Sequence, residues 1–510
     1  MEGYPLIGSR LHRLLPTVMS LLAVFFINSC AVGPNFHSPA PPKTNRYTYS
    51  PTPQKTTSAN MSDAGKSQTL TDAKTIPAQW WQLFHSRTLN QLIQMGLANN
   101  PTLEAAKKSL EVAEQTLRVQ VGNLLIPAVD LAFNAQRSQI GTIQFGLNAP
   151  TNIFSVYNTQ AQASYLLDIF GGNRRQVEYY AAQVDYQRYE LLAAYLTLTS
   201  NITTTAITIA SLEAQIQATH ELIATERNVL DIQKAQFADG GISQEDVLTQ
   251  ETLLAQTIAE LPPLQKSLAQ ENHALAVLIG ALTSQKPPTH LSLDELHLPA
   301  HLPVSLPSHL VRQRPDILAS EALLHGMSAN IGVATANLLP QITLSAYYGW
   351  TADALSRLFQ PASNVWSLAG ALLQPFFHGG ALIAARRAAV AQFQQFYAQY
   401  QNVVLQAFKN VADALRAIQF DAAEFKAQVN AEITAKKTLN TATRRYQLGG
   451  QNYLTVLNSQ QHYLEIKINR IQAQAARYTD TAALFQALGG GWWNQTLIGN
   501  HPCASRRSNS

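Results

Sequence analysis

The sequence predicts a membrane-associated α+β protein built from two copies of one unit, in which alternating strands precede very long helices. First, only 13% of the 510 residues are charged although 46% are hydrophobic, and charge is about half as common as in soluble proteins. Second, short motifs recur in the same order about 210 residues apart. Third, two Pro-free stretches of 63 residues, Arg174–Gln236 and Ala384–Tyr446, have helical composition. The net charge of +4, with no basic block, argues against nucleic-acid binding.

The amino terminus has the features of a bacterial lipoprotein leader. Arg10 and Arg13 precede the apolar stretch Leu14–Ile27, which is too short to span a bilayer and predicts a signal peptide over residues 1–29. The sequence Ile-Asn-Ser-Cys ending at Cys30 resembles a lipobox, in which the cysteine thiol takes a diacylglycerol. A plain secreted protein with an incidental cysteine is the alternative.

The residues that follow the predicted lipidation site, Cys30, indicate sorting and an anchor. Ala31 stands where Asp would be the usual inner-membrane retention signal, which favours the outer membrane. Several acyl chains together give stable anchoring to outer-membrane lipid. Residues 30–80, rich in Pro, Ser, Thr and Lys, are predicted to be a lipidated tether.

Self-similarity divides the rest of the chain. Asn123–Pro127 recurs as Asn337–Pro340, and Phe237–Gly241 resembles Tyr446–Gly450. The matches keep their order, so the chain is predicted to contain two copies of one unit. The predicted parts are a first repeat over 81–284, a linker over 285–308, a second repeat over 309–491 and a tail over 492–510.

Each copy begins with a helix and continues with two alternating segments. In the second copy Ile342, Leu344 and Tyr348 alternate with Thr343 and Ser345, and the first copy alternates in the same way around 131–136 and 153–165. One apolar and one polar face over about ten residues is typical of lipid-facing barrel strands. A solvent-facing antiparallel sheet would show the same alternation.

The long helical stretches favour the membrane interpretation. Each would be roughly 95 Å long at 1.5 Å per residue, and each ends in a Gly-Gly turn, Gly240-Gly241 or Gly449-Gly450, before a predicted antiparallel return helix. Two copies supply four strands, which cannot close a barrel, and lipid does not tolerate open edges. Three subunits would pool twelve strands above a matching ring of coiled-coil helices. If the strands span a membrane, the predicted fold is therefore an oligomeric α+β protein with a pooled β-barrel above long helices, and its function would be a passage.

Five motifs spread over about residues 30–495 carry a family resemblance. They are Cys30–Phe36, Arg314–Ile317, Pro340–Leu344, Leu448–Leu457 and Ala487–Trp492. In these motifs the sequence resembles the TolC-like outer-membrane factor family, in its lipoprotein efflux branch. The resemblance implies a trimeric, twelve-stranded β-barrel continuous with a long periplasmic α-helical barrel. It also implies docking to a periplasmic adaptor and to an inner-membrane pump of the resistance-nodulation-division type, for export of drugs or other small molecules.

The resemblance also implies a gate at the periplasmic end. Leu454 would supply a hydrophobic ring, whereas Thr455 and Asn458 stand where relatives carry acidic residues and Gln461 where relatives often carry Arg. Closure would therefore depend on packing and neutral hydrogen bonds. The alternative is that these are ordinary polar residues of a helix surface. The predicted helix-hairpin tips, which would contact the adaptor, comprise Gly240, Gly241, Glu245, Asp246, Gly449 and Gly450.

The two acids of the first tip have two possible roles. Glu245 and Asp246 could supply the acidity that the gate lacks, or they could be carboxylates favoured by the dipole at a helix start.

No motif points to an enzyme, a cofactor or a metal site. P-loop, nucleophile-elbow, His-Glu-x-x-His and Cys-x-x-Cys patterns do not occur. The histidines of the linker lack ligand spacing, and Cys503 lies in a polar tail. Two other functions remain open, an exit duct for type I protein secretion and a non-channel lipoprotein whose coiled coils act as a spacer. The lipobox favours the efflux branch over secretion.

Overall fold

The computed structural model describes residues 31–61, 63–71, 76–141, 146, 152–285, 291–305 and 307–494. The predicted signal peptide, Cys30 and Cys503 lie outside the described residues. No helix in these ranges is both long enough and apolar enough to cross a bilayer.

The first half of the chain contains a hairpin and a long helix. Its helices are α1 (Arg87–Asn99), α2 (Pro101–Leu125), α3 (Gly172–Ala238), α4 (Gln244–Ala259) and α5 (Leu261–Leu278), and its strands are β1 (Thr69–Thr71), β2 (Ala128–Ile140) and β3 (Asn152–Leu167). The predicted first helix is divided at Asn100, whose side-chain oxygen accepts hydrogen bonds from the backbone of Thr102 and Leu103. The predicted return helix is divided at Glu260, just before Pro262 and Pro263. In both places a proline in the first turn of the new helix ends the previous one, because it lacks the N–H that would continue the ladder.

The second half has the same order of helix, hairpin, long helix and return helix. It contains β4 (His301–Pro303), α6 (Pro307–Leu310), α7 (Pro315–Ala336), β5 (Gln341–Ala352), β6 (Asn364–Leu373), α8 (Ala381–Gln447) and α9 (Tyr453–Ala487). The long helices α3 and α8 each have 67 residues. The predicted helical stretches and alternating strands are therefore present at the predicted places.

The described chain divides into two compact units. The first unit comprises the described residues up to Pro39, Ser109–Gln187 and Ser320–Tyr400, and the second comprises Ala40–Lys108, Arg188–Ala319 and the described residues from Gln401 onward. The first unit holds the four-stranded sheet, whose order is β2-β3-β5-β6. Every neighbouring pair in it is antiparallel, and β3 pairs with β5 of the other half of the chain.

The register of this sheet collects most of the large apolar side chains on one face. Residues that are paired directly across strands share a face. One such row crosses all four strands, and it consists of Leu131, Ala161, Tyr348 and Trp366. On this face the exposed fraction is 87% for Leu131, 71% for Trp366 and 75% for Leu368. On the opposite face, polar side chains predominate in the central parts of β2, β3 and β5, and there Asn158 Nδ2 donates a hydrogen bond to Thr351 Oγ1 at 3.1 Å. One face is therefore suited to lipid and the other to water.

The residues that follow the predicted lipidation site pack against the first unit. Val32 N donates to Phe170 O at 2.9 Å, and the buried Arg175 donates to Val32 O at 3.2 Å and to Asn35 Oδ1 at 2.7 Å. The Phe36 ring stacks on His325 with centroids 4.6 Å apart. Each contact joins this segment to a residue more than a hundred positions away, so these first residues of the predicted tether are held against the first unit.

The core of the second unit is aromatic. Trp80 stacks on Phe485 at 5.5 Å, and Phe84 meets Tyr478 edge-on at 6.3 Å. These four side chains are buried. Beside them, β1 and β4 form a two-stranded parallel sheet that brings part of the predicted tether and part of the predicted linker together.

Candidate functional site: the hairpin tips and the adjacent groove

The first predicted tip, between α3 and α4, is a tight turn made by glycine. Gly240 has a φ of 76°, in the left-handed region, and donates its N–H to Phe237 O at 2.9 Å. Gly241 N donates to Gln236 O at 2.7 Å. This pair of bonds is a Schellman motif, which satisfies the last carbonyls of α3 and reverses the chain.

The second tip, between α8 and α9, repeats the first. Gly449 has a φ of 71° and donates to Tyr446 O, and Gly450 donates to Arg445 O, both at 2.9 Å. Asn452 then caps α9, because its Oδ1 accepts the backbone N–H of Thr455 at 3.4 Å, and the same oxygen also accepts the side-chain O–H of Thr455 at 2.8 Å. Four of the predicted tip residues therefore lie in the turns themselves.

The two acids of the first tip lie in the first turn of α4. Asp246 Oδ2 accepts hydrogen bonds from Ser243 N at 3.1 Å and from Ser243 Oγ at 2.7 Å, while Asp246 N donates to Ser243 Oγ. This is a capping box. Asp246 is thus engaged at the helix start, and Glu245 lies exposed beside it.

Three of the four predicted gate residues line one groove between α8 and α9. Thr455, Asn458 and Gln461 lie on successive turns of α9, and the groove has a volume of about 680 Å³. Leu454 is not in the lining, and 52% of its surface is exposed. The other lining residues are Ala431, Thr434, Ala435, Thr438, Ser459, His462, Glu465 and Ile466.

The groove contains an ionisable pair that sequence reasoning missed. His462 Nδ1 lies 3.5 Å from Glu465 Oε2, and both side chains are mostly exposed. Glu465 lies seven residues after Asn458, which is two turns of a helix, so the heptad spacing of α9 already placed it on the same face. The groove therefore contains an acid of its own, beyond the predicted neutral residues.

The two hairpins meet beside the tips. The Tyr446 and Tyr453 rings pack with centroids 4.9 Å apart, and Tyr453 OH donates to Gln250 Oε1 of α4 at 3.4 Å. Burial raises the pKa of Tyr453. Residues of the second tip thus contact the first hairpin directly.

A carboxyl group is buried behind this contact. Glu226 of α3 has no exposed surface, and its Oε1 accepts from Thr257 Oγ1 of α4 at 3.2 Å. Burial, assisted by the nearby carboxylate of Glu260, raises the pKa of Glu226 to about 7, and the Thr257 hydrogen bond opposes the rise.

Across the described ranges, no group of three or more His, Cys, Asp or Glu residues is arranged to hold a metal ion.

Comparison with known proteins identifies the family. The model of the family described as "Outer membrane efflux protein" matches residues 92–281 and 306–490. The chain belongs to the outer membrane efflux protein family. This confirms the resemblance and the location in the outer membrane that the sequence predicted.

Curated efflux proteins align with most of the chain. The pyoverdine export outer membrane protein OpmQ of Pseudomonas putida is 30% identical over 432 residues, which cover 84% of this chain and 91% of the relative. The cation efflux system protein CusC of Escherichia coli is 27% identical and covers 94% of this chain and 99% of its own length. This outer membrane efflux protein is therefore similar over nearly its whole length to exporters with different cargoes.

Solved structures of outer-membrane channels share the fold. The outer-membrane channel OprN superimposes with a TM-score of 0.81 at 25% identity, covering 91% of this chain and all of that one. The open state of the Neisseria gonorrhoeae MtrE outer membrane channel gives a TM-score of 0.77 at 24% identity, covering 91% and 99%.

Proposed function

We propose that this outer membrane efflux protein forms, as a homotrimer, the passive exit duct of a tripartite efflux system. The observation that carries the proposal is the four-stranded sheet, whose register places apolar side chains on one face and polar ones on the other. Within the described chain β2 and β6 are its edges. Because hydrocarbon does not tolerate open strand edges, the sheet must be completed by other subunits. Three copies pool twelve strands into a closed barrel with a polar lumen.

The helices would continue the duct into the periplasm. The same order of elements in both halves supports an internal repeat, in which α3 and α8 are equivalent 67-residue helices with matching Schellman turns. Three subunits would contribute six such helices and their return helices to a helical barrel. The domain boundaries that the sequence predicted are kept in this proposal.

The periplasmic end of the duct would carry the gate and the docking sites. Thr455, Asn458 and Gln461, together with Leu454, are proposed as the gate. A periplasmic adaptor would dock on the tips formed around Gly240-Gly241 and Gly449-Gly450, and an inner-membrane pump would supply the energy. Relatives named for pyoverdine and for cations share this architecture, so cargo would be selected by the pump. Cys30 would anchor the trimer to outer-membrane lipid, next to the contacts that Val32, Asn35 and Phe36 make with the first unit.

Native mass and conductance test the proposal together. The detergent-extracted, acylated protein is expected to have the mass of three chains, and its insertion into a planar bilayer is expected to give discrete conductance steps. A clean monomer would leave four strands unable to close and would favour the non-channel lipoprotein. A trimer that conducts but whose genomic neighbours encode an ABC exporter for a protein would favour the secretion duct.

A further inference from the structure

The packing of α3 on α4, and the contact of α4 with α9, are polar where helix packing is ordinarily apolar. Glu226 and Gln250 have no exposed surface, and Thr257 is 4% exposed. Gln250 Nε2 donates to the backbone oxygen of Glu226 at 3.1 Å, and Gln250 Oε1 accepts from Tyr453 OH. A chain of hydrogen bonds therefore runs from the backbone oxygen of Glu226 on α3 through Gln250 on α4 to Tyr453 on α9, while the Glu226 carboxyl group itself bonds to Thr257 of α4. We call Glu226, Gln250, Thr257 and Tyr453 the tip seam.

The carboxyl group of Glu226 is incompletely satisfied in this seam. Its Oε1 accepts one hydrogen bond from Thr257, and its buried Oε2 has no hydrogen-bond partner among the described residues. A neutral carboxyl tolerates such a site far better than a carboxylate, because an ionised group removed from water requires several donors or a cation.

The charged groups that face Glu226 in the seam do not stabilise its ionised form. From α4, the facing acid is Glu260, and from α9 the facing titratable group is Tyr453, itself packed on Tyr446 of α8. Lys234 pairs with Glu251 at 2.9 Å and Lys467 pairs with Glu221 at 2.8 Å, and Arg227, the neighbour of Glu226 in the chain, has an exposed side chain. The electrostatic surroundings therefore favour a proton on Glu226.

We propose that the Glu226 carboxyl group is a proton-operated clasp, which holds α3 against α4 when protonated and loosens the two helices when ionised. The regulatory consequence rests on the proposed function, since the same tips would form the periplasmic end of the duct. Acid conditions would then keep the tips packed, and neutral conditions would favour their separation.

The direction and the pH window follow from linkage. A carboxyl whose pKa is about 7 in the packed state and 4.5 when solvated binds the proton more tightly when packed. The equilibrium constant for opening the seam therefore rises as pH rises from about 4.5 to about 7, by at most about tenfold per pH unit. Above pH 7 the constant no longer changes, because the carboxyl group is ionised in both states.

Hydrogen exchange on the intact trimer tests the clasp. After correction for intrinsic exchange, protection of the amides of α4 is expected to fall at least about tenfold between pH 5 and pH 7.5 in the wild type. In Glu226→Gln, which keeps the shape and cannot ionise, protection is expected to be the same at both pH values. The matched control Glu424→Gln, at an exposed acid of α8, is expected to behave as the wild type.

A second variant tests the mechanism even if Glu226→Gln does not assemble. Thr257→Val removes the donor to Oε1 and is expected to move the end of the pH window upward, because that hydrogen bond stabilises the ionised form. Equal pH dependence in the wild type and Glu226→Gln, or no movement in Thr257→Val, would overturn the clasp.

Bilayer conductance, recorded in parallel, separates the two proposals. If the protein conducts and exchange shows no effect of Glu226, the clasp is wrong and the duct stands. If exchange responds to Glu226 but no conductance is seen at any pH, the duct is wrong and the clasp is a property of the hairpins alone.

Discussion

At the scale of single residues, Asn458 decides the electrostatics proposed for the gate. It lies exposed in the groove between α8 and α9, where a carboxamide bears no charge. In a trimer, Asn458→Asp would place three carboxylates around the axis, which repel each other and concentrate cations. We expect a several-fold rise in cation over anion permeability, measured as the reversal potential in a salt gradient. Asn410→Asp, which adds the same charge on exposed α8 surface, is the control, and an unshifted potential in Asn458→Asp would remove this position from the gate.

Asp246 and Glu245 are adjacent acids with different bonding. Asp246→Ala breaks the capping box and is expected to destabilise the start of α4 by about 1 kcal/mol. Glu245→Ala leaves the capping box intact and is expected to destabilise the helix start by only a few tenths of a kcal/mol, through the loss of its interaction with the helix dipole. Amide exchange in the first turn of α4 measures both. Similar losses of amide protection in the two variants would contradict a capping role for Asp246. Its carboxylate would then be only one of the surface acids of the tip.

At the scale of elements, the turns depend on one glycine each. Gly449 has a left-handed φ and open space around it, so Gly449→Ala costs only the backbone strain, about 1–2 kcal/mol. Gly450→Ala is the matched control, because its φ is ordinary and a new Cβ would meet Arg445 O at 3.7 Å, a normal contact. Thermal unfolding of the two variants is expected to show a lower midpoint for Gly449→Ala alone. A larger effect at Gly450 would mean that the turn is not a Schellman motif in solution.

At the scale of the whole molecule, the two faces of the sheet are expected to respond differently to charge. Leu368 lies on the apolar face and Ala369 on the opposite face, where it pairs with Ser345. Leu368→Lys is expected to lower the free energy of unfolding by about 2–4 kcal/mol if residue 368 lies near the midplane of the membrane. The yield of folded trimer in outer membranes measures this cost. Ala369→Lys is expected to assemble as the wild type, and equal yields of the two variants would contradict a lipid-facing sheet.

Much of the fold was predictable because its signals are local. The period of two around Ile342, the length of the Pro-free stretches and the Gly-Gly pairs each depend on neighbours within a turn or a strand. The breaks at Asn100 and Glu260 were predictable in principle from Pro101 and Pro262, but the continuous helical composition concealed them. Of the proposed gate, Thr455, Asn458 and Gln461 were placed by the family resemblance, and the structure added His462 and Glu465 to the same groove.

The sequence by itself determined the elements, the turns that reverse them and the family, because periodicity and motifs are properties of neighbouring residues. Only the tertiary structure decided which elements meet. It paired β3 with β5, fixed the segment after Cys30 on Arg175, and buried Glu226 behind Gln250 and Tyr453. Each of these joins residues far apart in the chain, and such contacts are selected by burial and hydrogen-bond satisfaction over the whole fold, for which a linear pattern carries no signal.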